Sequence, residues 1–550
     1  MMKSIQGKGV SAGMAQGTIH DLRTHTPERS QPPEKGTPDV EQNRFRTACQ
    51  SLHDELRALI AKARATVGEA EAEIFTTHRL MLEDEDFTHP IEQSIAAGCS
   101  AHDAVRTTGD RLAKQFSAMD DPYLQAREAD IRSITDRLCR LLTHATDTHI
   151  PMPSGVIIVA KELSPTETLS LDTQKVRGIV TEQGAANSHA AILARTLGIP
   201  AITATGPLPP HIQGTPCILH GETGTLYLSP TEAIRQQYDA YAAAAAKTKA
   251  EHTAMRGHTC RRADGHPIRI CANGGSLADV RTAAGEDAEG IGLFRSEFLF
   301  MRTDRCPTED EQYVLYKDLL AAMPDKEVVI RTLDAGADKK IPWLADRLPM
   351  WQTEENPALG LRAVRISLCC PDLLITQLRA LYRAATYGKL STMIPMLTLP
   401  SELEKVQTIA AKVRESLQAE GIPHDPTMPI GIMIETPSAA LCAEELAKMA
   451  AFFSIGTNDL IQYTMAADRE NPSVAHLTET VPDSVKTLLH ITATSAHKAG
   501  IPVSICGELA GETSMIPFWV QEGIDKLSVS PGQVLSVRAK VQAYLDSSHL

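Results

Sequence analysis

The sequence predicts a multidomain α/β protein, in which an α/β domain interrupted by an inserted helical bundle is followed by a (β/α)8 barrel of the TIM type. Three observations predict it. Beyond Gly265, short β runs alternate with helical stretches through eight β-then-α units. Between Pro38 and about Thr146 glycine is scarce and apolar residues recur at helical spacing. Strand-like runs stand on both sides of that stretch, and the opening ones have no other nearby segment to pair with.

Taken in order, Gly7, Gly9, Gly13 and Gly17 among Val10 and Ile19 read as short strands joined by tight turns; their spacing fits neither a P-loop nor a dinucleotide fingerprint. Leu52, Leu56, Leu59 and Ile60, then Ile74, Phe75, His78 and Leu82, carry the helical period, with breaks near Val67-Gly68, Gly98-Cys99-Ser100 and Asp121-Pro122. About four helices are expected there. Strand runs return at 156–159 and 178–181, and a Gly/Pro-rich stretch leads into a further run at 226–228. Ser229-Pro230-Thr231-Glu232 then reads as a capping-box start, with serine at the N-cap, proline first and glutamate third. The alanine-rich helix it opens can run to Gly257, on the order of 40 Å at 1.5 Å per residue, and reads as a linker. The expected segments are therefore 1–36 and 147–228 for the α/β domain, 37–146 for the helical insert, 229–257 for the linker helix and 258–550 for the barrel. Its strands are expected at 268–272, 290–294, 328–332, 392–397, 430–434, 452–455, 503–506 and 526–529.

Composition narrows the function. A formal charge of −14 argues against a general affinity for nucleic acid or an anionic membrane, since both need a basic face. The eleven cysteines form no C-x-x-C pair, which suits a reducing, cytoplasmic setting. No run of about 18 apolar residues and no signal-peptide pattern occurs, so neither membrane spanning nor export is expected.

In a barrel of this kind the active site is built at the C-terminal ends of the strands. That rule selects Arg295 after the second strand, Arg331 and Asp334 at the third, and Glu435 at the fifth. Asn458 and Asp459 follow the sixth, and Cys506 and Glu508 the seventh, while Arg362 and Arg469 lie in loops after the third and sixth. Arginines and carboxylates converging on one mouth describe a site for a multiply charged anion with a divalent metal. Glu435 and Asp459 suffice for Mg2+, which completes its octahedron with ligand oxygens and water. Away from the barrel, His189 stands where an apolar helix begins after a strand ending near Thr181 and a flexible turn. A helix N-terminus disfavours the cationic imidazole and offers N–H groups to a phosphate, as a neutral nucleophilic histidine requires.

Six motifs carry a resemblance to a known family. They are Gly-x-x-x-Ser-His-x-x-Ile-x-Ala-Arg (184–195), Gly-Ile-Gly-Leu-Phe-Arg-Ser-Glu-Phe-Leu-Phe-Met (290–301), Arg-Thr-Leu-Asp (331–334), Asn-Pro-Ala-Leu-Gly-Leu-Arg (356–362), Ser-Ile-Gly-Thr-Asn-Asp-Leu (454–460) and Cys-Gly-Glu-Leu-Ala-Gly (506–511). Together they resemble enzyme I of the sugar phosphotransferase system. The resemblance implies a swivelling phosphohistidine domain in which His189 takes the phosphoryl group of phosphoenolpyruvate (PEP), with Thr168 as its hydrogen-bond partner. It implies that Arg295, Arg331, Arg469 and Asn458 grip PEP, with Lys340 and Arg362 in support, that Glu435 and Asp459 hold Mg2+, and that Cys506 protonates the enolate as pyruvate forms. The helical insert, with its acidic 83–85 run, resembles the docking site for the phosphocarrier protein HPr, and a homodimer through the barrel is a family expectation. Ala185 and Asn187 stand where the family usually has glycine and threonine, and Glu470 where it prefers glycine; a terminal helix of longer members is expected to be absent. The competing readings are a pyruvate phosphate dikinase or PEP synthase, which carry an ATP-binding domain ahead of these, and a regulatory phosphoprotein that signals PEP supply.

Overall fold

The structure is a computed structural model that describes residues 2–24, 35–66, 69–118, 122–143, 152–163, 165–184, 188–301, 305–337, 339, 341–349, 351–469, 471, 473–478 and 480–548. It divides into two compact units, Met1–Ala246 and Lys247–Leu550. The division falls inside one helix.

The first unit opens with strands β1 (Lys3–Gln6), β2 (Lys8–Ser11) and β3 (Met14–Asp21), followed by helices α1 (Pro38–Thr66), α2 (Glu69–Glu83), α3 (Glu85–Ala96), α4 (Ala101–Ser117) and α5 (Pro122–Leu142). Then come β4 (Val156–Ala160), α6 (Pro165–Ser170), β5 (Val176–Thr181), α7 (His189–Thr196), β6 (Ala201–Thr203), β7 (Pro216–His220), β8 (Thr225–Leu228) and α8 (Glu232–Ala254). The strands form one eight-stranded sheet in the order β1-β8-β7-β3-β4-β5-β6-β2. β1 lies antiparallel to β8 and β3 parallel to β4, so the opening strands share a sheet with the chain that follows the helices. Both faces are covered. Val156, Ile158 and Ile179 pack with Ala190, Ala191 and Ala194 of α7, while Ile157, Val159 and Val180 pack with Leu219 and Leu226. The alternation follows the two-residue period of a strand, and the wholly apolar run of β4 fits a strand buried on both sides.

Helices α1 to α5 bury Leu52, Leu56, Phe75, Leu82, Ile91, Ile95, Val105, Ile134 and Leu138 in one core. The described residues contain five helices here, where the sequence suggested about four. The extra break falls at Asp84, whose carboxylate accepts the Asp86 N–H at 2.9 Å and caps α3. Of the expected breaks, residues 67, 68 and 121 lie outside the described residues.

The linker helix also starts differently from its sequence signature. Ser229 sits at φ 48°, a left-handed conformation that cannot present an N-cap side chain in the usual extended geometry. α8 instead begins at Glu232, where the Arg235 N–H reaches the Thr231 carbonyl at 3.0 Å. It ends at Ala254 rather than Gly257 and buries none of its residues.

The second unit begins with β9 (Cys260–Arg261), which lies antiparallel to β10 (Pro267–Gly274). β11 (Gly290–Arg295), β12 (Glu327–Arg331), β13 (Leu390–Ile394), β14 (Ile430–Ile434), β15 (Phe453–Ile455), β16 (Val503–Ile505) and β17 (Lys526–Val529) follow. β10 to β17 pair in sequence and in parallel, and β10 pairs with both β11 and β17, closing the eight-stranded barrel that the alternating pattern predicts. Outward residues such as Ile270, Ile330, Ile432, Phe453, Val503 and Ile505 pack under the surrounding helices. Inside, Leu293, Val329, Met393, Met433, Phe452 and Cys506 form a separate apolar plug, as expected for a packed barrel interior.

Candidate active site

A cavity of about 400 Å³ opens over that plug at the C-terminal ends of the barrel strands. Of the residues expected at the site, Arg295, Arg331, Asp334, Arg362, Glu435, Asn458, Asp459, Arg469 and Cys506 all line it. They come from chain segments more than 200 residues apart, and the barrel brings them together.

Arg331 ends β12 and is buried. Its Nη2 meets Glu297 Oε1 at 2.6 Å and its Nη1 meets Asp334 Oδ2 at 2.8 Å, while Arg362 Nη2 reaches Asp334 Oδ1 at 3.1 Å. Lys339 joins from the same loop, 3.6 Å from Glu297 Oε1 and donating to the Asp334 carbonyl at 2.7 Å. Burial pushes the Asp334 carboxyl up, but Arg331, Lys339 and Arg362 outweigh it and hold the group well below the usual carboxylate range. Two atoms facing this network, Glu297 Oε2 and Arg331 Nε, are buried without a hydrogen-bond partner. The arginines are thus pinned in place before any anion arrives, which removes the ordering cost of binding one. Ala363, beside Arg362, is held at φ 51°, with its N–H on the Ala335 carbonyl at 3.0 Å.

Across the mouth, Glu435 follows β14 and is 1% exposed. Its Oε1 accepts the Met396 N–H at 2.6 Å, and Met396 itself takes a left-handed φ of 56°. Gly456 lies against the same carboxylate; a Cβ there would stand 2.9 Å from Glu435 Oε2. Burial first, then repulsion from Asp459 and Asp334, pushes the Glu435 carboxyl well above the usual range. Asp459 Oδ1 is 3.2 Å from Arg469 Nη1.

Two carboxylates close enough to repel one another suit a divalent ion, which would relieve the repulsion that raises Glu435. The donor set is two hard oxygens beside an open cavity, and no cluster of three or more His, Cys, Asp or Glu ligands occurs among the described residues. This fits a small oxygen-seeking cation that keeps water or substrate ligands, rather than a closed structural metal.

Cys506 follows β16. Its thiol donates to the Ile455 carbonyl at 3.4 Å, and burial pushes it up to about 11, so it is a protonated thiol at neutral pH. Asn458 Oδ1 accepts the Glu508 N–H at 3.0 Å, fixing the turn beside it. Glu508 is exposed and does not line the cavity.

His189 and Thr168 belong to the other unit. α7 begins at His189, and the Ser188 hydroxyl caps it by accepting the Ala191 N–H at 3.4 Å. α6, which carries buried Thr168, packs against α7. Lys340, Ala185, Asn187 and Glu470 lie outside the described residues. Lys339 and Glu297 line the cavity without having been expected there. Glu297 stands inside a motif that carried the family resemblance, so its position was visible but its role was not.

No helix among the described residues is long and apolar enough to cross a membrane. All eleven cysteines are free.

Comparison with known proteins agrees with this geometry. Three family descriptions match in succession: "PEP-utilising enzyme, N-terminal" over residues 6–127, "PEP-utilising enzyme, mobile domain" over 152–224, and "PEP-utilising enzyme, PEP-binding domain" over 249–545. The phosphoenolpyruvate-protein phosphotransferase of Bacillus sp. (strain S) is 38% identical over 548 residues, 98% of this chain and 93% of its own length. That of Bacillus subtilis (strain 168) is 37% identical over 548 residues, 98% of this chain and 94% of its own. The NMR solution structure of an Enzyme I protein (nEIt) is 26% identical, covering 43% of this chain and 97% of that one with a TM-score of 0.37. Similarity at this level, spanning nearly the whole chain and including the PEP-binding barrel, shows that the chain belongs to the phosphoenolpyruvate-protein phosphotransferase family of PEP-utilising enzymes.

Proposed function

We propose that this chain transfers the phosphoryl group of PEP to its own His189 and then to a histidine of the phosphocarrier protein HPr, releasing pyruvate, as the first step of a sugar phosphotransferase system. The observation that carries the reading is the preformed cavity in which Arg331 is clamped between Glu297 and Asp334 opposite the raised carboxyl of Glu435. Arg295, Arg331, Arg469 and Asn458 hold the phosphate and carboxylate of PEP, with Arg362, Lys340 and Lys339 adding positive charge. Glu435 and Asp459 hold Mg2+. When bound, that ion neutralises charge on the phosphoryl and enolate oxygens, in the manner usual for phosphoryl transfer. Attack by a His189 nitrogen forms the N–P bond as the ester C–O–P bond breaks at phosphorus, leaving enolpyruvate. Cys506 then gives its S–H proton to C3 of the enolate, and the carbonyl of pyruvate forms. Thr168 orients the His189 imidazole.

The helical insert, α1 to α5, receives HPr, and its exposed acidic residues Asp84, Glu85 and Asp86 attract a basic face. The chain works as a cytoplasmic homodimer joined through the barrel; free cysteines throughout suit a reducing compartment. The relatives favour this reading over the dikinase and regulatory ones.

The test is a count of pyruvate. With PEP and Mg2+ alone, the chain should release one pyruvate per His189 and stop, then resume when HPr is added. A His189→Ala variant that still gave the burst, or a wild type that needed ATP for it, would overturn the reading.

A further inference from the structure

Among the polar side chains inside the barrel that the chemistry above leaves without a task, Ser454 is buried without a hydrogen-bond partner. Ser454 lies on β15, two residues after Phe452, which belongs to the interior plug; its neighbours in sequence, Phe453 and Ile455, point outward into the surrounding core. By strand alternation Ser454 therefore faces the barrel interior. On the adjacent strand β16, Val503 and Ile505 likewise point outward, so Ser504 and Cys506 face in. Ile455 pairs with Ile505, and the Cys506 N–H donates to the Ile455 carbonyl at 3.1 Å. In this register Ser504 stands opposite Ser454, and Cys506 is the next inward residue along β16, its thiol on the carbonyl of Ile455, the residue that follows Ser454.

Ser454 is fully buried, and its Oγ meets no group in a strictly aligned hydrogen bond. A buried hydroxyl without a partner costs roughly 1–3 kcal/mol, so its presence beside the apolar plug calls for a reason. Ser504, opposite it, donates its own hydroxyl to the Phe453 carbonyl at 3.2 Å, while the Cys506 thiol lies close enough for Ser454 to lower its proton affinity against the effect of burial. The other ionisable groups that act on this thiol are Glu435, which raises its proton affinity, and Arg331 and Arg295, which lower it; all three stand at the mouth, above the plug. The Cys506 backbone is also fixed. Asn273 Nδ2 donates to the Cys506 carbonyl and to the Ser528 carbonyl, both at 3.1 Å, while the Ser528 hydroxyl donates to Asn273 Oδ1 at 2.7 Å.

We infer that Ser454 is a positioning residue for proton delivery by Cys506: its hydroxyl turns to donate to Sγ as the thiol surrenders its proton, stabilising the sulfur from inside the dry barrel. This deepens the reading of the previous section and rests on it. The step balances simply. The S–H bond breaks, the enolate C=C electron pair takes the proton to form the methyl C–H bond, and the pair left on sulfur accepts the Ser454 O–H. Solvent returns a proton to the thiolate through the mouth after pyruvate leaves. In the resting state the S–H points at the Ile455 carbonyl, so donation by Ser454 to the sulfur lone pair does not compete with it.

The reverse of this step, removal of a methyl proton from pyruvate, gives a direct measurement. Full-length wild type, Ser454→Ala and Cys506→Ala are each incubated with Mg2+ and pyruvate in D2O, and loss of the methyl proton signal is followed by NMR. Formation of phosphohistidine from PEP is measured in parallel. A hydrogen bond to an ionised partner predicts about a tenfold or greater loss of exchange in Ser454→Ala, with the half-saturating PEP concentration for phosphohistidine formation changed by less than about twofold. The change removes only an oxygen atom without a partner, so the melting temperature of the barrel should hold or rise. Exchange by Ser454→Ala within twofold of wild type, beside an inactive Cys506→Ala, would overturn the inference alone. Loss of PEP saturation together with exchange would also overturn it, since that is what a merely structural serine would do. If Cys506→Ala exchanged as fast as wild type, the assignment of Cys506 as the proton donor would fail instead, and the role of Ser454 with it.

Discussion

Asp334 and Glu435 are buried carboxylates at one barrel mouth, and their neighbours hold them in opposite states. Asp334 faces three cations and is kept ionised. Its depressed affinity for protons contributes stability that is present above the usual carboxylate range and is lost as pH falls through the folded value. Asp334→Ala leaves Arg331 and Arg362 buried without it and should cost about 3–5 kcal/mol, read from denaturant unfolding of the full chain. Glu435 has the opposite sign. Its raised carboxyl binds a proton more tightly in the folded state, so the metal-free protein should lose stability as pH rises from the ordinary carboxylate range toward the folded value. Glu435→Gln should therefore raise the melting temperature of the metal-free protein at pH 8 while abolishing its stabilisation by Mg2+; a lower melting temperature would contradict the assignment. At this scale the sequence marked the arginines, Glu435, Asp459 and Cys506, because a residue at a strand's C-terminal end is constrained by the barrel itself. Lys339 escaped because it lies eight residues beyond β12, where backbone regularity no longer says which way a side chain points.

Among the elements, α8 carries the clearest mechanical implication. It buries none of its residues along its whole length, so its helix must hold by propensity, supplied by the alanines at 242–246. Ala244→Pro should break it at a cost of about 3 kcal/mol of helix stability, leaving the barrel's melting unchanged. If this linker helps carry His189 to the PEP site, phosphorylation of His189 by PEP should slow by about tenfold or more; an unchanged rate would show that α8 takes no part in that step. The elements also show where sequence patterning stopped being readable. The barrel strands were recovered because each combines an apolar run with flanking turns. The start of α8 was misplaced because Ser229 fits the capping box in letters but takes a left-handed backbone. The break between α2 and α3 was missed because Asp84 sits in an acidic run, where a capping carboxylate looks like a solvated one.

For the molecule as a whole, two chemistries respond differently to salt. In the barrel-mouth cavity the ion pairs of Arg331 with Glu297 and Asp334 are buried, whereas the acidic residues of the insert at 83–86 are exposed. Screening at high ionic strength weakens exposed charges much more than buried ones. Raising salt from about 0.05 to 0.5 M should thus slow transfer from phosphorylated chain to HPr by roughly tenfold, with the PEP half-reaction changing much less. Equal sensitivity of both steps would place the steering charges elsewhere.

The most direct measurement follows the phosphate itself. The full chain is incubated with PEP labelled at phosphorus and with Mg2+, then digested, and the label is located. The predicted result is a single acid-labile, alkali-stable phosphate on His189, chased completely by HPr and absent from His189→Ala; label on any other residue, or label arriving equally well from ATP, would contradict the account.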